Sequence, residues 1–186
     1  VSATGAKPVA CDVCEGDAFL DLKDAEKRLT AKTRAIMPVH YASGARCLDR
    51  VYAFARANNL RVIEDAAHSF GNAHDGVTVG AEGDIICFSF DGIKNITSGE
   101  GGAVITGDEV LARRLRDARL LGVEKDTEAR YGGHRSWTFD VKHQGFRYHM
   151  SNLMAALGRA QLNKLNRFAA RRRTLGARYV RAFAGM

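Results

Sequence analysis

The chain has 186 residues, 46% of them apolar and 26% charged, with a net charge of +7. That length suffices for a domain with a buried core, no apolar run reaches the length of a membrane span, and the first residues lack the basic-then-apolar pattern of a secretory leader, so the cytoplasm is the default compartment. The excess charge is local: six arginines (167, 171, 172, 173, 178 and 181) and no acid lie between Arg167 and Met186, and with those six removed the rest carries about +1, the pattern of a solvated helix face rather than a nucleic-acid surface.

In chain order, Lys7–Val13 is a short apolar segment that predicts a strand. Asp21–Thr30 predicts a helix with Leu22, Ala25 and Leu29 on one face. Thr33–His40 predicts a buried strand, Gly44 opens a turn, and Leu48, Val51, Tyr52 and Ala55 recur at helical spacing. Arg61–Asp65, Asp84–Phe90 and Gly102–Thr106 predict three more strands. Asp108 is placed to cap a helix whose apolar positions include Val110, Leu111, Leu115 and Leu121. Residues 122–147 carry glycines, histidines and aromatics without a period and read as a long functional loop, whose Tyr131 and Trp137 could stack on a substrate but read first as packing residues. From Ser151 one long helix is expected through Leu153, Leu157, Leu162 and Leu165.

Strand–helix alternation predicts an α/β sandwich with a mostly parallel sheet. Ligands of such sheets gather at the carboxyl ends of the strands, which here are His40, Asp65 and Phe90. The start at a helix-to-strand junction and the end inside a basic helix lead us to expect a further domain. Of the four cysteines, Cys11 and Cys14 form a C-x-x-C pair with no second pair at zinc spacing, and Cys87 reads as core. Unpaired thiols suit a reducing compartment.

Two motifs carry chemistry. In Glu64-Asp65-Ala66-Ala67-His68-Ser69-Phe70-Gly71, a buried strand ends in two adjacent acids followed by small residues. Read alone, the motif also suits a carboxylate capping the next helix. In Phe88 to Gly102, a strand is followed by a loop with a single lysine, Lys94, and a glycine-rich turn back into a strand. Partial desolvation by Ile93, Ile96 and the turns would make Lys94 a competent amine nucleophile. Ser89 and the loop amides can contact a phosphate.

EDAAHSFG (64–71) followed by SFDGIKNITSGEGG (89–102) resembles the DegT/StrS family of nucleotide-sugar aminotransferases, pyridoxal phosphate (PLP) enzymes of fold type I. GAKPV (5–9) with Asp12-Val13, PVH (38–40) and YHMSNLMAALGRAQL (148–162) are similar to family segments in the same order, so the resemblance covers nearly the whole chain. It implies a three-layer sandwich, the large domain of the fold type I PLP-dependent transferases. Residues 1–150 would be the PLP-binding core, and 151–186 would lead toward a small C-terminal domain.

By the same resemblance, Lys94 matches the lysine that bonds to the cofactor and shuttles protons. Asp65 matches the carboxylate that pairs with the pyridine nitrogen. His68 matches a position near the ring, and Ser89 the serine that binds the phosphate. The family usually has G-x-N-Y-R-M where this chain has Gly145-Phe146-Arg147-Tyr148-His149-Met150. Arg147 thus replaces an asparagine that reaches the phosphate of the neighbouring subunit's cofactor, and arginine is also a phosphate ligand.

The implied activity moves an amino group, commonly from glutamate, to a nucleotide-linked keto-sugar, in a homodimer with neither nucleic acid nor membrane as partner. Relatives with histidine in place of the lysine are dehydratases, and Lys94 argues against that branch. The alternatives are an inactive fragment or binding module that keeps the fold, and a basic nucleic-acid-binding protein. The motifs do not distinguish the sugar, its ring carbon or the pathway.

Overall fold

The computed structural model describes residues 1–44, 47–123, 140, 141 and 143–185. Tyr131, His134 and Trp137 lie outside the described residues.

Four strands form the main sheet: β1 (Ala35–Ile36), β2 (Arg61–Asp65), β5 (Ile85–Ser89) and β6 (Gly102–Ile105), in the order β1-β2-β5-β6. The first three are parallel, and β6 runs antiparallel to β5. Between β2 and β5 lies a separate hairpin of β3 (Ala73–His74) and β4 (Val77–Thr78). Its two-residue turn, Asp75-Gly76, has φ of 48° and 83°. Asp-Gly suits such a turn because Gly takes positive φ freely and Asp tolerates it, which matches the twist of the strands. The sequence reading passed over this hairpin.

The helices are α1 (Leu22–Lys27), α2 (Leu48–Ala57), α3 (Glu109–Ala118), α4 (Asn152–Leu162) and α5 (Leu165–Ala182). Their starts are encoded locally. Asp21, Asp108 and Ser151 accept hydrogen bonds from Lys23 N, Leu111 N and Met154 N, satisfying amides that have no partner within the helix. Asp24 and Arg28 pair at 2.6 Å across one turn of α1. The helix expected to run unbroken from Ser151 divides at Asn163-Lys164, where Lys164 N bonds back to Gln161 O in a tighter turn.

Register decides which side chains share a face. Ile36 pairs with Val62 and Glu64 with Ile86, and side chains alternate along each strand, so Ile36, Val62, Glu64, Ile86 and Phe88 face one way. That face is the core. Ile36 and Val62 pack with Phe19, Ala25, Val51 and Ala55, and Ile86 and Phe88 pack with Ala66, Phe70, Val79 and Phe90. Full burial of a valine, isoleucine or phenylalanine side chain, as at Val51, Val62 and Ile86, contributes about 1.5–3 kcal/mol. The other face, with Ile63, Asp65, Cys87 and Ser89, is half-buried.

Two expectations change. Lys7–Val13 forms no strand beyond a single bridge from Val13 to Leu20, and Val9 is 56% exposed, with no partner strand beside it among the described residues. The strand expected over 33–40 is regular only at Ala35–Ile36. Pro38 then lacks an amide for the ladder, although its carbonyl accepts from Asp65 N at 2.9 Å and Val39 bridges to Asp65.

Candidate active site

Glu64 and Asp65 close β2, and strand alternation sends them to opposite faces. Glu64 is buried on the core side. Its Oε1 accepts from the Tyr52 hydroxyl at 2.6 Å, and its Oε2 stands 3.0 Å from Nε2 of buried His40. The Tyr52 oxygen in turn accepts from Asp84 N at 2.8 Å. Burial, and then the bond to Glu64, push the Tyr52 phenol above its usual range. His40 is therefore a structural histidine on the face opposite Asp65, linked to it only through the backbone: His40 N donates to Asp65 O at 2.9 Å.

Asp65 is half-buried on the open face. Its Oδ1 accepts from Ala67 N at 3.1 Å, which folds the chain into the turn that carries His68. The His68 ring lies 6.4 Å from that of Tyr41. Asp65 pairs with Cys87 across β2 and β5, so Cys87 and, two residues on, Ser89 share its face. The expectation that Cys87 is a core residue is corrected: it stands beside Asp65 and is only half-buried. Burial, with the carboxylates of Asp65 and Glu64, raises its thiol above the ordinary value. Ser89 Oγ accepts from Asp91 N at 3.3 Å, leaving its own proton free to donate.

Beyond Ser89 the lysine loop is closed at its base. Phe90 N bonds to Gly101 O, Ser98 N to Phe90 O, and Asp91 bridges to Gly99. Lys94 sits at the tip, half-buried, with Lys94 N donating to Asp91 O at 3.1 Å. Among the described residues no carboxylate pairs with its ammonium group. Ile96 is buried as expected, but Ile93 is 87% exposed and encloses nothing. Asn95, which the sequence reading did not single out, donates through Nδ2 to the carbonyls of His68 (3.2 Å) and Phe70 (2.8 Å). A polar residue beside the lysine was the only signal for it.

The helices near the chain's end pack on these motifs. The Leu165 side chain fills the space beside Gly71, the Met150 side chain that beside Gly101, and Arg172 Nη1 donates to Asn95 O at 2.9 Å. Arg147 is apart from the others: it is exposed, on a segment bridged to Leu120 at the end of α3. The structure thus brings Asp65, His68, Ser89 and Lys94 to one end of the sheet and leaves Arg147 outside that group.

A carboxylate and a hydroxyl thus share one half-open face, and the adjoining loop carries an amine with no carboxylate partner among the described residues. The model of the DegT/DnrJ/EryC1/StrS aminotransferase family matches residues 1–186. The chain belongs to this family. It is 37% identical over 180 residues to the spore coat polysaccharide biosynthesis protein SpsC of Bacillus subtilis, covering 97% of this chain and 46% of SpsC. Among solved structures, PseC of Helicobacter pylori, an aminotransferase involved in the biosynthesis of pseudoaminic acid, superposes with a TM-score of 0.89 at 28% identity, over 100% of this chain and 47% of PseC. Spr1654 of Streptococcus pneumoniae in its PLP form gives 0.86 at 27% identity, over 99% of this chain and 50% of that one. The chain spans about half the length of these relatives. Its fold is that of the fold type I PLP-dependent aminotransferases.

The family and the PLP-form relative imply PLP dependence, and the residues present fit that group. Asp65 Oδ1 takes one backbone donor, which leaves acceptor capacity for a ring N–H. Ser89 retains a proton for a phosphate oxygen, and among the described residues no carboxylate competes for the Lys94 amine. Among the described residues no cluster of ligating side chains suits a metal ion, and no helix is long and apolar enough to cross a membrane.

Proposed function

We propose that this protein is a PLP-dependent aminotransferase that moves an amino group from an amino-acid donor, glutamate, to a nucleotide-linked keto-sugar. One observation carries the reading: Asp65 and Ser89 stand on one face at the ends of two paired parallel strands, and the lysine loop is tied back to the turn that follows Asp65. The likeness to SpsC and PseC supports the sugar substrate.

Bound PLP supplies an electron sink for the electrons released at the carbon that carries the amino group. The protein's own residues do the rest. Lys94 would hold the cofactor through its amine and would move the proton at the carbon that carries the amino group. Asp65 would hold a proton at the ring nitrogen, an interaction that its half-burial would strengthen. Ser89 would donate to the phosphate, and His68, on the turn after Asp65, would stand near the ring. Arg147, exposed at the end of α3, serves the phosphate of a neighbouring subunit's cofactor in a homodimer. In this reading residues 1–150 carry the cofactor, and the helices of 151–186, which pack on the motifs through Leu165 and Arg172, lead on toward a small C-terminal domain. Four free thiols suit a cytoplasmic enzyme.

Incubation with PLP, borohydride reduction and peptide mass spectrometry test the proposal. A phosphopyridoxyl group on Lys94 is expected. Its absence, or its spread over surface lysines, would leave a fold kept for another purpose.

A further inference from the structure

A lysine works on a reacting centre only if its amine is held in fixed register with the groups that bind the rest of the reactant, since an error of about 1 Å costs on the order of 100-fold in rate. The base of the lysine loop is fixed by its bridge and backbone bonds, but Lys94 is at the tip, next to an exposed Ile93. The tie across to the Asp65 turn is Asn95. Its amide donates to carbonyls 27 and 25 residues earlier in the chain, those of His68 and Phe70. An asparagine that merely shapes a turn bonds to its own neighbouring backbone instead. The carbonyls it reaches belong to the turn that Ala67 N to Asp65 Oδ1 and Ser69 N to Ala66 O close. Asn95 O is held from the other side by Arg172 of α5, 77 residues on. Three pieces of chain therefore meet at the residue bonded to Lys94.

We propose that Asn95 is a positioning residue that sets the Lys94 amine against Asp65, and that Arg172 secures this register to helix α5. The role given to the amine rests on the aminotransferase reading, whereas the register can be measured without it. In the cofactor-free protein, the rate at which acetic anhydride modifies Lys94 is compared with that of exposed Lys23 by peptide mass spectrometry across pH. Asn95→Ala removes both donors, and Asn95→Asp sets a carboxylate oxygen against two carbonyl oxygens. In both, Lys94 leaves its half-buried place and the Lys94/Lys23 ratio rises at least threefold. Asn95→Gln, which keeps the donors, stays within twofold of the parent. Arg172→Ala gives a smaller rise, and Arg171→Ala gives none. With PLP present, Asn95→Ala lowers kcat about tenfold while the donor's KM changes less than twofold.

A ratio that is unchanged or lower in folded Asn95 variants would overturn the proposal. Should those variants fail to fold by circular dichroism, Arg172→Ala, an alteration at an exposed helix surface, decides by the same ratio. If the parent takes no PLP on Lys94, the functional reading falls while the ratio still reports on the Asn95 tie.

Discussion

Glu64 and Asp65 are adjacent in the chain yet serve opposite faces of the sheet, Glu64 bonded to Tyr52 at 2.6 Å in the core and Asp65 half-buried beside Cys87. Their substitutions should therefore separate. Asp65→Asn keeps its shape and its bond from Ala67 N, so the protein folds with near-parental stability, while the amination rate falls on the order of 100-fold. Glu64→Gln places an amide beside buried His40 and costs about 1–3 kcal/mol of stability, with a rate within a few-fold of the parent. Urea unfolding and steady-state kinetics on both variants check this, and equal rate losses in the two would contradict the assignment of faces.

Ser89 is paired with Gly102 across β5 and β6, and a Cβ at Gly102 would lie 2.5 Å from the backbone oxygen of Phe88. Backbone cannot swing aside as a flexible side chain does, so the β5 edge must shift. Gly102→Ala should cost about 1–3 kcal/mol and weaken PLP binding several-fold by displacing the Ser89 hydroxyl. Equilibrium titration with PLP measures the second effect, and unchanged affinity would remove Ser89 from the phosphate site.

Cys87 shares the face of Asp65, and burial followed by the carboxylates of Asp65 and Glu64 raises its thiol. Since the thiolate is the nucleophile, iodoacetamide at pH 8 should modify exposed Cys14 and Cys47 well before Cys87. Prior addition of PLP should slow Cys87 further and leave the other two alone. Time-resolved peptide mapping reads the order, and a Cys87 indifferent to PLP would place the cofactor elsewhere.

The Arg61 guanidinium grips Asp84 through two bonds of 2.7 and 2.6 Å and holds its carboxyl below the usual range, against a smaller opposing effect of burial. A carboxyl lowered in the folded state stabilises the protein above its ordinary value of about 4 and loses that contribution as pH falls through the lowered one. Melting temperatures followed from pH 6 down to pH 2.5 should thus decline more steeply in the parent than in Asp84→Asn. At pH 6 the variant should be less stable by about 1 kcal/mol, Arg61 being half-exposed. Parallel acid limbs would show that the pair contributes nothing.

The sequence by itself determined the chemistry-bearing segments and the middle strands and helices around them. The strands expected over 61–65, 84–90 and 102–106, which form at 61–65, 85–89 and 102–105, and the cap at Asp108 follow from apolar period and local hydrogen bonding, which act over a few residues. The order of the two motifs, through the family they resemble, marked Asp65, Ser89 and Lys94. Tertiary structure decided what depends on distant partners. Lys7–Val13 has strand-like residues, but among the described residues it pairs only through the bridge from Val13 to Leu20. The register of β2 on β5 put Cys87 beside Asp65 rather than in the core. Asn95 became the tie between the lysine loop and the Asp65 turn only because carbonyls 25 and 27 residues away came within reach of its amide. Propensity is local, whereas the partner of a buried face or of a donated proton is chosen by how the whole chain packs.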